Sequence, residues 1–238
     1  MESFGEYTVR GITYKYRRFV NITNDFEAYT IGYLACDGGF ILNHGFPIIS
    51  VSGTEQYIIN AFQDYWVPGR AIYNVGINSS TKVNAINPVF ELRFPSRLSK
   101  TFSKYGIFCK KINRRMVGIS HKYFLPYFAG VIDADGFISV THRKDCRTPR
   151  LRFFITHQSE RYLADLQEQM IMRGVASGLR QHGDKNCYRL SFQHTALNIN
   201  FLSTIYPYLR NNKKRNVLNK YLNNIVPQKS DELLEGVS

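Results

Sequence analysis

Cysteine is scarce and poorly spaced for chemistry of its own. Cys36, Cys109, Cys146 and Cys187 never form a C-x-x-C pair, which excludes a zinc ribbon and offers no disulfide framework. Free thiols in a reducing compartment are expected. Long apolar runs are absent as well: no stretch approaches the ~18 residues a membrane span needs, and Met1 to Gly5 carry no basic start with an apolar middle. A soluble, intracellular protein with no membrane partner is therefore expected. Acidic residues are in deficit, with 18 Asp and Glu against 31 Lys and Arg, a formal net charge of +13 and a pI near 9.6. That balance calls for a polyanionic partner. The excess is also spread along the chain, with 14 basic and 8 acidic residues in 1–120 and 17 and 10 in 121–238. A single basic arm would not give this distribution, whereas a surface tracking a phosphate backbone would.

What the chain has in quantity is aromatic and apolar side chains. The 17 Phe, 16 Tyr and 44% hydrophobic residues suit a packed globular protein, since disordered basic tails are poor in aromatics. At 238 residues the chain can bury roughly 70% of its unfolded surface, in one or two domains.

A degenerate internal repeat organises this core. The segment Ile31 to Gly38 matches Ala129 to Gly136, with Gly32, Asp37 and Gly38 aligned to Gly130, Asp135 and Gly136 at an offset of 98. The same offset relates Leu92 and Phe94 to Leu190 and Phe192, while Thr54 to Tyr57 matches Ser159 to Tyr162 at 105. Each copy reads in one order. An apolar helix ending in Asp-Gly (26–37 and 122–135) precedes two strands (40–42 with 48–52, and 137–142 with 151–156). A helix then opens on the capping signal at Thr54 or Ser159. Two more strands follow (71–77 with 89–94, and 178–183 with 187–192), then helices near 96–105, 195–206 and 214–225. The unit is αββαββα. The boundaries divide the chain into a basic, aromatic extension (1–25), a first unit (26–120), a second unit (121–227) and an acidic, frayed tail (228–238).

The Asp-Gly ends are chemically informative. A helix C-terminus carries unpaired carbonyls and about half a negative charge, so a carboxylate there costs up to ~1 kcal/mol unless something offsets it. Gly38 and Gly136 would stop each helix in the left-handed C′ conformation, leaving Asp37 and Asp135 just inside the negative end. A hard divalent cation reverses the balance, because carboxylate and carbonyl oxygens both attract it, and Mg²⁺ is commonly held by one or two protein carboxylates with phosphate and water. Gly32, Ala35 and Cys36 on one helix and Ala129, Gly130 and Ala134 on the other form stripes of small residues. Two such helices can approach closely and bring both acids together on a pseudo-twofold axis, the arrangement a two-metal phosphodiester reaction needs.

Phe128-Ala-Gly-Val-Ile-Asp-Ala-Asp-Gly136 resembles the signature of the LAGLIDADG homing endonucleases at seven of nine positions, and Thr30 to Gly38 at three, which are the glycine, the final acid and the last glycine. With the order of elements, the resemblance runs from about residue 26 to 225 and is to the single-chain, two-motif type. It implies an α+β fold: a pseudo-twofold pair of αββαββα units whose two antiparallel sheets form a saddle over duplex DNA. The implied protein is a monomer with internal pseudo-dimer symmetry that cuts both strands of a long, asymmetric site. Mg²⁺ or Mn²⁺ would serve as cofactor, and Ca²⁺ would bind without supporting cleavage.

On this resemblance Asp37 and Asp135 are the catalytic, metal-holding acids, with Cys36 and Ala134 beside them in the metal site. Asp133, which has Ala35 at its repeat position, is read as helix-terminal structure. The water-ordering polar residue matches His157, and by the repeat alignment Ser52; Arg161 is a basic residue of the same shell and Gln56 its counterpart. The basic residue near the scissile phosphate falls on Lys213, with Lys214 as the neighbouring choice and Arg114 as its equivalent in the first unit. Strand residues opposite the core are the DNA-reading candidates: Asn43, Glu91 and Arg93 in the first unit, and Thr141, Arg143, Arg150, Arg152, Arg180, Arg189 and Ser191 in the second. Arginine can fork onto guanine and glutamate can accept from cytosine. Two rival readings stand beside this one: an RNA maturase or non-cleaving nucleic-acid-binding relative on the same fold, and a basic RNA-binding protein whose Asp-Gly pairs are only turns.

Overall fold

The computed structural model describes residues 4–75, 88–107, 111–141, 149–183, 186–193 and 195–225. The N-terminal extension begins as a β-hairpin of β1 (Phe4–Val9) and β2 (Ile12–Arg17). Its two-residue turn places Arg10 and Gly11 at φ +50° and +79°, the type I′ geometry that matches strand twist. The strap that follows buries Phe19 against Trp66 and Phe102, with ring centroids 5.1 and 5.6 Å away. The extension is thus part of the first unit's core.

Helix α1 (Asp25–Asp37) starts where Asn24 accepts the Glu27 amide, while Glu27 accepts from the amide and hydroxyl of Thr23. This is a reciprocal cap of the capping-box kind. Every residue from Glu27 to Cys36 is buried, as expected of a helix with neighbours on all sides. Strands β3 (Gly38–Asn43) and β4 (Phe46–Gly53) follow, then α2 (Gln56–Trp66), β5 (Tyr73–Asn74), β6 (Phe90–Arg93) and α3 (Ser96–Ser103). The second unit repeats the order with α4 (Phe124–Asp135), β7 (Gly136–Thr141), β8 (Arg150–His157), α5 (Glu160–Ile171), β9 (Ser177–Gln181), β10 (Tyr188–Phe192) and α6 (Ala196–Ile205), then adds α7 (Asn212–Ile225). The two four-stranded sheets are antiparallel and share one strand order, β3-β4-β6-β5 and β7-β8-β10-β9. The α+β class and the paired sheets expected from the repeat are therefore present. The acidic tail, with Arg143, Cys109 and Cys146, lies outside the described residues.

Helices α1 and α4 pack face to face through their glycines. A Cβ built on Gly32 would stand 1.9 Å from the Tyr127 carbonyl oxygen, and one on Gly130 would stand 2.1 Å from that of Tyr29. Only glycine permits this approach of two backbones. The small-residue stripes read from the sequence are the seam.

Three local expectations are corrected. Gly38 and Gly136 are not left-handed C′ residues: their backbones are extended, at φ −68° and −75°, and they enter the sheets directly. Glycine is needed there because a Cβ would meet the carbonyl oxygens of Leu34 and Ile132 at 2.3 and 2.6 Å. Ser159 caps α5 by accepting the Tyr162 amide, but Thr54 does not cap α2, whose N-cap is Glu55 without a side-chain bond. The sheet register also sets the repeat offset in β4 and β8 at 104, because Gly38 pairs with Val51 as Gly136 pairs with Ile155. His157 therefore corresponds to Gly53, and Ser52 to Thr156.

Candidate metal centre and nucleic-acid interface

Each seam helix ends in an acid and the next residue begins a sheet, so Asp37 and Asp135 sit where the two sheets meet the seam. Both are half-buried and feel one another. Burial first, and the neighbouring Asp135 carboxylate second, push Asp37 up to about 6, and burial raises Asp135 as well. Two acids sharing a low-dielectric site resist double ionisation. The pairing inferred from the repeat is therefore present across the seam.

The helix ends carry built-in cations. Arg114 Nη1 donates to the carbonyls of Leu34, Ala35 and Cys36 at 3.2, 2.7 and 3.4 Å, and Nη2 donates to that of Gly38. Lys214 Nζ does the same for α4, donating to Ile132, Asp133 and Ala134 at 2.7, 2.9 and 3.5 Å. Part of the electrostatic cost of each helix end is thus offset by the protein's own cations. Lys111, in the turn Lys111–Asn113, adds a third positive charge that favours ionisation of both acids, together with Lys214 and Arg114.

Lys213, the residue favoured from the sequence, is not brought to this centre: it is exposed and paired with Glu55 at 2.9 Å. Lys214 and Arg114 occupy the place instead. Lys111 was missed, although matching Arg114 to Lys214 would have pointed to the same basic run.

Cys36 is fully buried beside Asp135, and burial keeps its thiol protonated by raising it well above the ordinary thiol range. It touches Tyr162, whose hydroxyl pairs with that of Tyr127 at 2.8 Å. Cys36 therefore meets the acids as a neutral, buried neighbour. The carbonyls of Cys36 and Ala134 face Arg114 and Lys214.

His157 is buried, with both ring nitrogens engaged. Nδ1 accepts the Ser159 amide at 3.0 Å, so Nε2 carries the proton and donates to the Ala35 carbonyl at 3.3 Å. Burial, with Arg114 and Lys111 nearby, lowers it to about 4. The ring braces the end of α1 from the opposite unit and leaves no nitrogen for a water. Ser52 lies in β4 paired with Glu91, Gln56 opens α2, and exposed Arg161 lines a groove of about 360 Å³ with Asn113, Arg115 and Gln158.

Asp133 accepts from Tyr29 Oη at 2.8 Å and from the amides of Arg210 and Asn211 at 2.6 and 2.9 Å. It ties the approach of α7 to the seam.

Among the described residues no three His, Cys, Asp or Glu side chains cluster as a metal site. Two carboxylates short of cation ligands suit an ion that completes its shell with phosphate and water, as Mg²⁺ does. The donor set therefore fits a hard divalent cation shared with a polyanion.

Side chains alternate across each strand. Because Leu151, Phe153, Ile155 and Leu190 are core residues, Thr141, Arg150, Arg152, Arg180, Arg189 and Ser191 share the outer face of the second sheet and line a groove of about 310 Å³. On the first sheet Glu91 and Arg93 lie outward and form an ion pair at 2.6 Å, and the backbone of Asn43 pairs with Phe46 at the far end of β3. No helix of the described residues is long and apolar enough to cross a membrane.

No protein-family model and no curated protein matches the chain. Solved structures do. I-SmaMI bound to an uncleaved DNA target in the presence of calcium ions is 12% identical, with a TM-score of 0.57 over 89% of this chain and 94% of that one. The LAGLIDADG homing endonuclease I-LtrWI bound to target DNA gives 12% and 0.56 over 81% and 87%, and I-GzeII in complex with a DNA target 13% and 0.56 over 88% and 92%. The chain has the fold of these LAGLIDADG homing endonucleases.

Proposed function

We propose that this chain is a site-specific endonuclease of duplex DNA that acts as a monomer, its two units each meeting one half of the target. The reading rests on one observation above all: Asp37 and Asp135 are paired at the foot of the seam, at the junction of two sheets, among cations that suit phosphate. The fold it shares with DNA-bound homing endonucleases supports the same reading.

In this mechanism the outer faces of the sheets hold the duplex, and contacts to phosphate fix its register. Asp37 and Asp135 would hold Mg²⁺ or Mn²⁺, with Ca²⁺ as a substitute that binds without supporting cleavage. The bound metal supplies Lewis-acid polarisation of the scissile phosphate and a more acidic water. Arg114 and Lys214 neutralise the helix carbonyls, so the carboxylates are free to face the cation. Lys111 adds positive charge beside the two acids, which suits the negative charge that would grow on the phosphate. The neutral Cys36 thiol adds no charge beside Asp135, and His157 keeps the end of α1 fixed beneath Asp37.

Plasmids carrying a randomised insert, incubated with Mg²⁺ and sequenced at their ends, test the proposal. The native chain should release a defined family of double-strand breaks, while Asp37→Asn and Asp135→Asn should abolish them and still retain the same duplexes in a pull-down. Linearisation by either variant would refute the assigned roles. Binding without cleavage by the native chain would leave a non-cleaving nucleic-acid-binding protein.

A further inference from the structure

The two sheets correspond strand for strand, yet their outer faces differ in kind. The pairings Gly38 with Val51 and Gly136 with Ile155 set the correspondence for β4 and β8. Ser52 with Glu91 and Thr156 with Arg189 set it for β6 and β10. Tyr73 with Glu91 and Arg180 with Arg189 set it for the last strands. By this register Arg150 stands where the first sheet has Phe46, Arg152 where it has Ile48, Arg189 where it has Glu91, and Arg180 where it has Tyr73. Among the described residues, each of these four arginines has an apolar, aromatic or acidic counterpart on the first face.

The physical consequence is a difference in what each face can read. Arg150, Arg152 and Arg180 are exposed, and the Arg189 guanidinium lies over the Phe154 ring, 4.1 Å from its centroid, and against His182. Such guanidinium forks match the O6 and N7 acceptors of guanine in the major groove. Among the described residues the first face offers one guanidinium, Arg93, and its Nε is paired with Glu91 at 2.6 Å; further along the same face lie Phe46 and Ile41, 57% and 50% exposed. Apolar contacts of that kind meet the thymine methyl group.

On the reading of this chain as a DNA endonuclease, we infer that its target is lopsided: guanine-rich in the half lying on the second sheet, and thymine-rich in the half lying on the first. Arg150, Arg152 and Arg180 are the guanine-selecting side chains, Arg189 a pre-oriented fourth, and Ile41, Phe46 and Ile48 the surface that selects thymine.

The test is a binding selection from a fully randomised duplex pool with Ca²⁺, followed by sequencing. It is repeated with Arg152→Ile and Arg180→Tyr, which install the side chains of the other sheet, and with Ile48→Arg. The expected result is one guanine-rich flank and one thymine-rich flank. Each arginine replacement should lower a guanine preference about tenfold at one position of the first flank only, the scale of a lost bidentate contact, and Ile48→Arg should create a guanine preference on the other flank. An enriched motif with guanine spread evenly over both flanks, or variants that weaken all sequences alike as phosphate clamps would, overturns the inference while leaving the endonuclease reading in place. Enrichment of no sequence at all overturns both.

Discussion

Tyr29 of the first seam helix donates its hydroxyl to Asp133 of the second across 2.8 Å, and nothing mirrors this bond on the other side of the pseudo-twofold axis. The repeat partner of Asp133 is Ala35, and Tyr127, the partner of Tyr29, turns to Tyr162 instead. Because Asp133 also accepts two amides at the approach to α7, Asp133→Ala would strand two buried donors and a third that is part-buried. The expected loss is about 3 kcal/mol, read as a melting point lower by roughly 6–12 °C. Tyr29→Phe should lose about 1 kcal/mol. If Asp133→Ala melts as the native chain does but loses DNA cleavage, the residue belongs to the chemistry and not to the scaffold.

How much of this was legible in the sequence follows from the range of each interaction. The seam, the acid pair and the two sheets rest on Gly32, Gly130, Asp37 and Asp135 and on strand alternation in Leu151, Phe153 and Ile155, all local patterns repeated in two places. What failed depended on register or on distant partners. A one-residue difference before α2 moved the counterpart of His157 from Ser52 to Gly53, since pairing in β4, not spacing to the next helix, decides it. Lys213 and Lys214 are adjacent on α7, so only packing decides which of them reaches α4. The extension's core role rested on Phe19, one aromatic among many, and nothing near it in sequence names Trp66 as its partner.

That choice between neighbouring lysines can be measured. Lys214→Met removes a buried cation from three carbonyls and from the side of both acids, so it should reduce the melting temperature and the cleavage rate together. Lys213→Met breaks only an exposed pair with Glu55, a contact of small worth. The ordering of the two variants, in thermal melts and in plasmid cleavage, is the expected outcome. A larger loss for Lys213→Met would return the role to that residue.

His157 gives a pH dependence of defined sign. Burial lowers it from 6.5 to about 4, so the folded state prefers the neutral ring. The stability it contributes is full above pH 6.5 and disappears as pH falls toward 4, up to about 3 kcal/mol. Asp37 works in the opposite direction, since a carboxyl raised to about 6 favours the folded state as pH falls. The comparison of native chain with His157→Gln therefore isolates the ring. In urea titrations from pH 7.5 to 4, the variant's stability should approach that of the native chain as pH falls. An unchanged gap across the range would mean that His157 is not buried neutral.

Metal binding has a thermal signature that does not depend on cleavage. Two acids raised by burial, with only protein cations at the edge of the site, are at a cost in the folded chain that a divalent ion relieves, while the unfolded chain has no such pair. Ca²⁺ at ten times its dissociation constant should add about 1.4 kcal/mol, a rise of roughly 3–6 °C in melting temperature for a chain of this size. The rise should vanish in Asp37→Asn and in Asp135→Asn, and should not be reproduced by NaCl at matched ionic strength. With 31 basic and 18 acidic residues, the surface repels cations overall. A calcium shift that survives both substitutions would therefore have to come from elsewhere, and the acid pair would lose its claim to the metal.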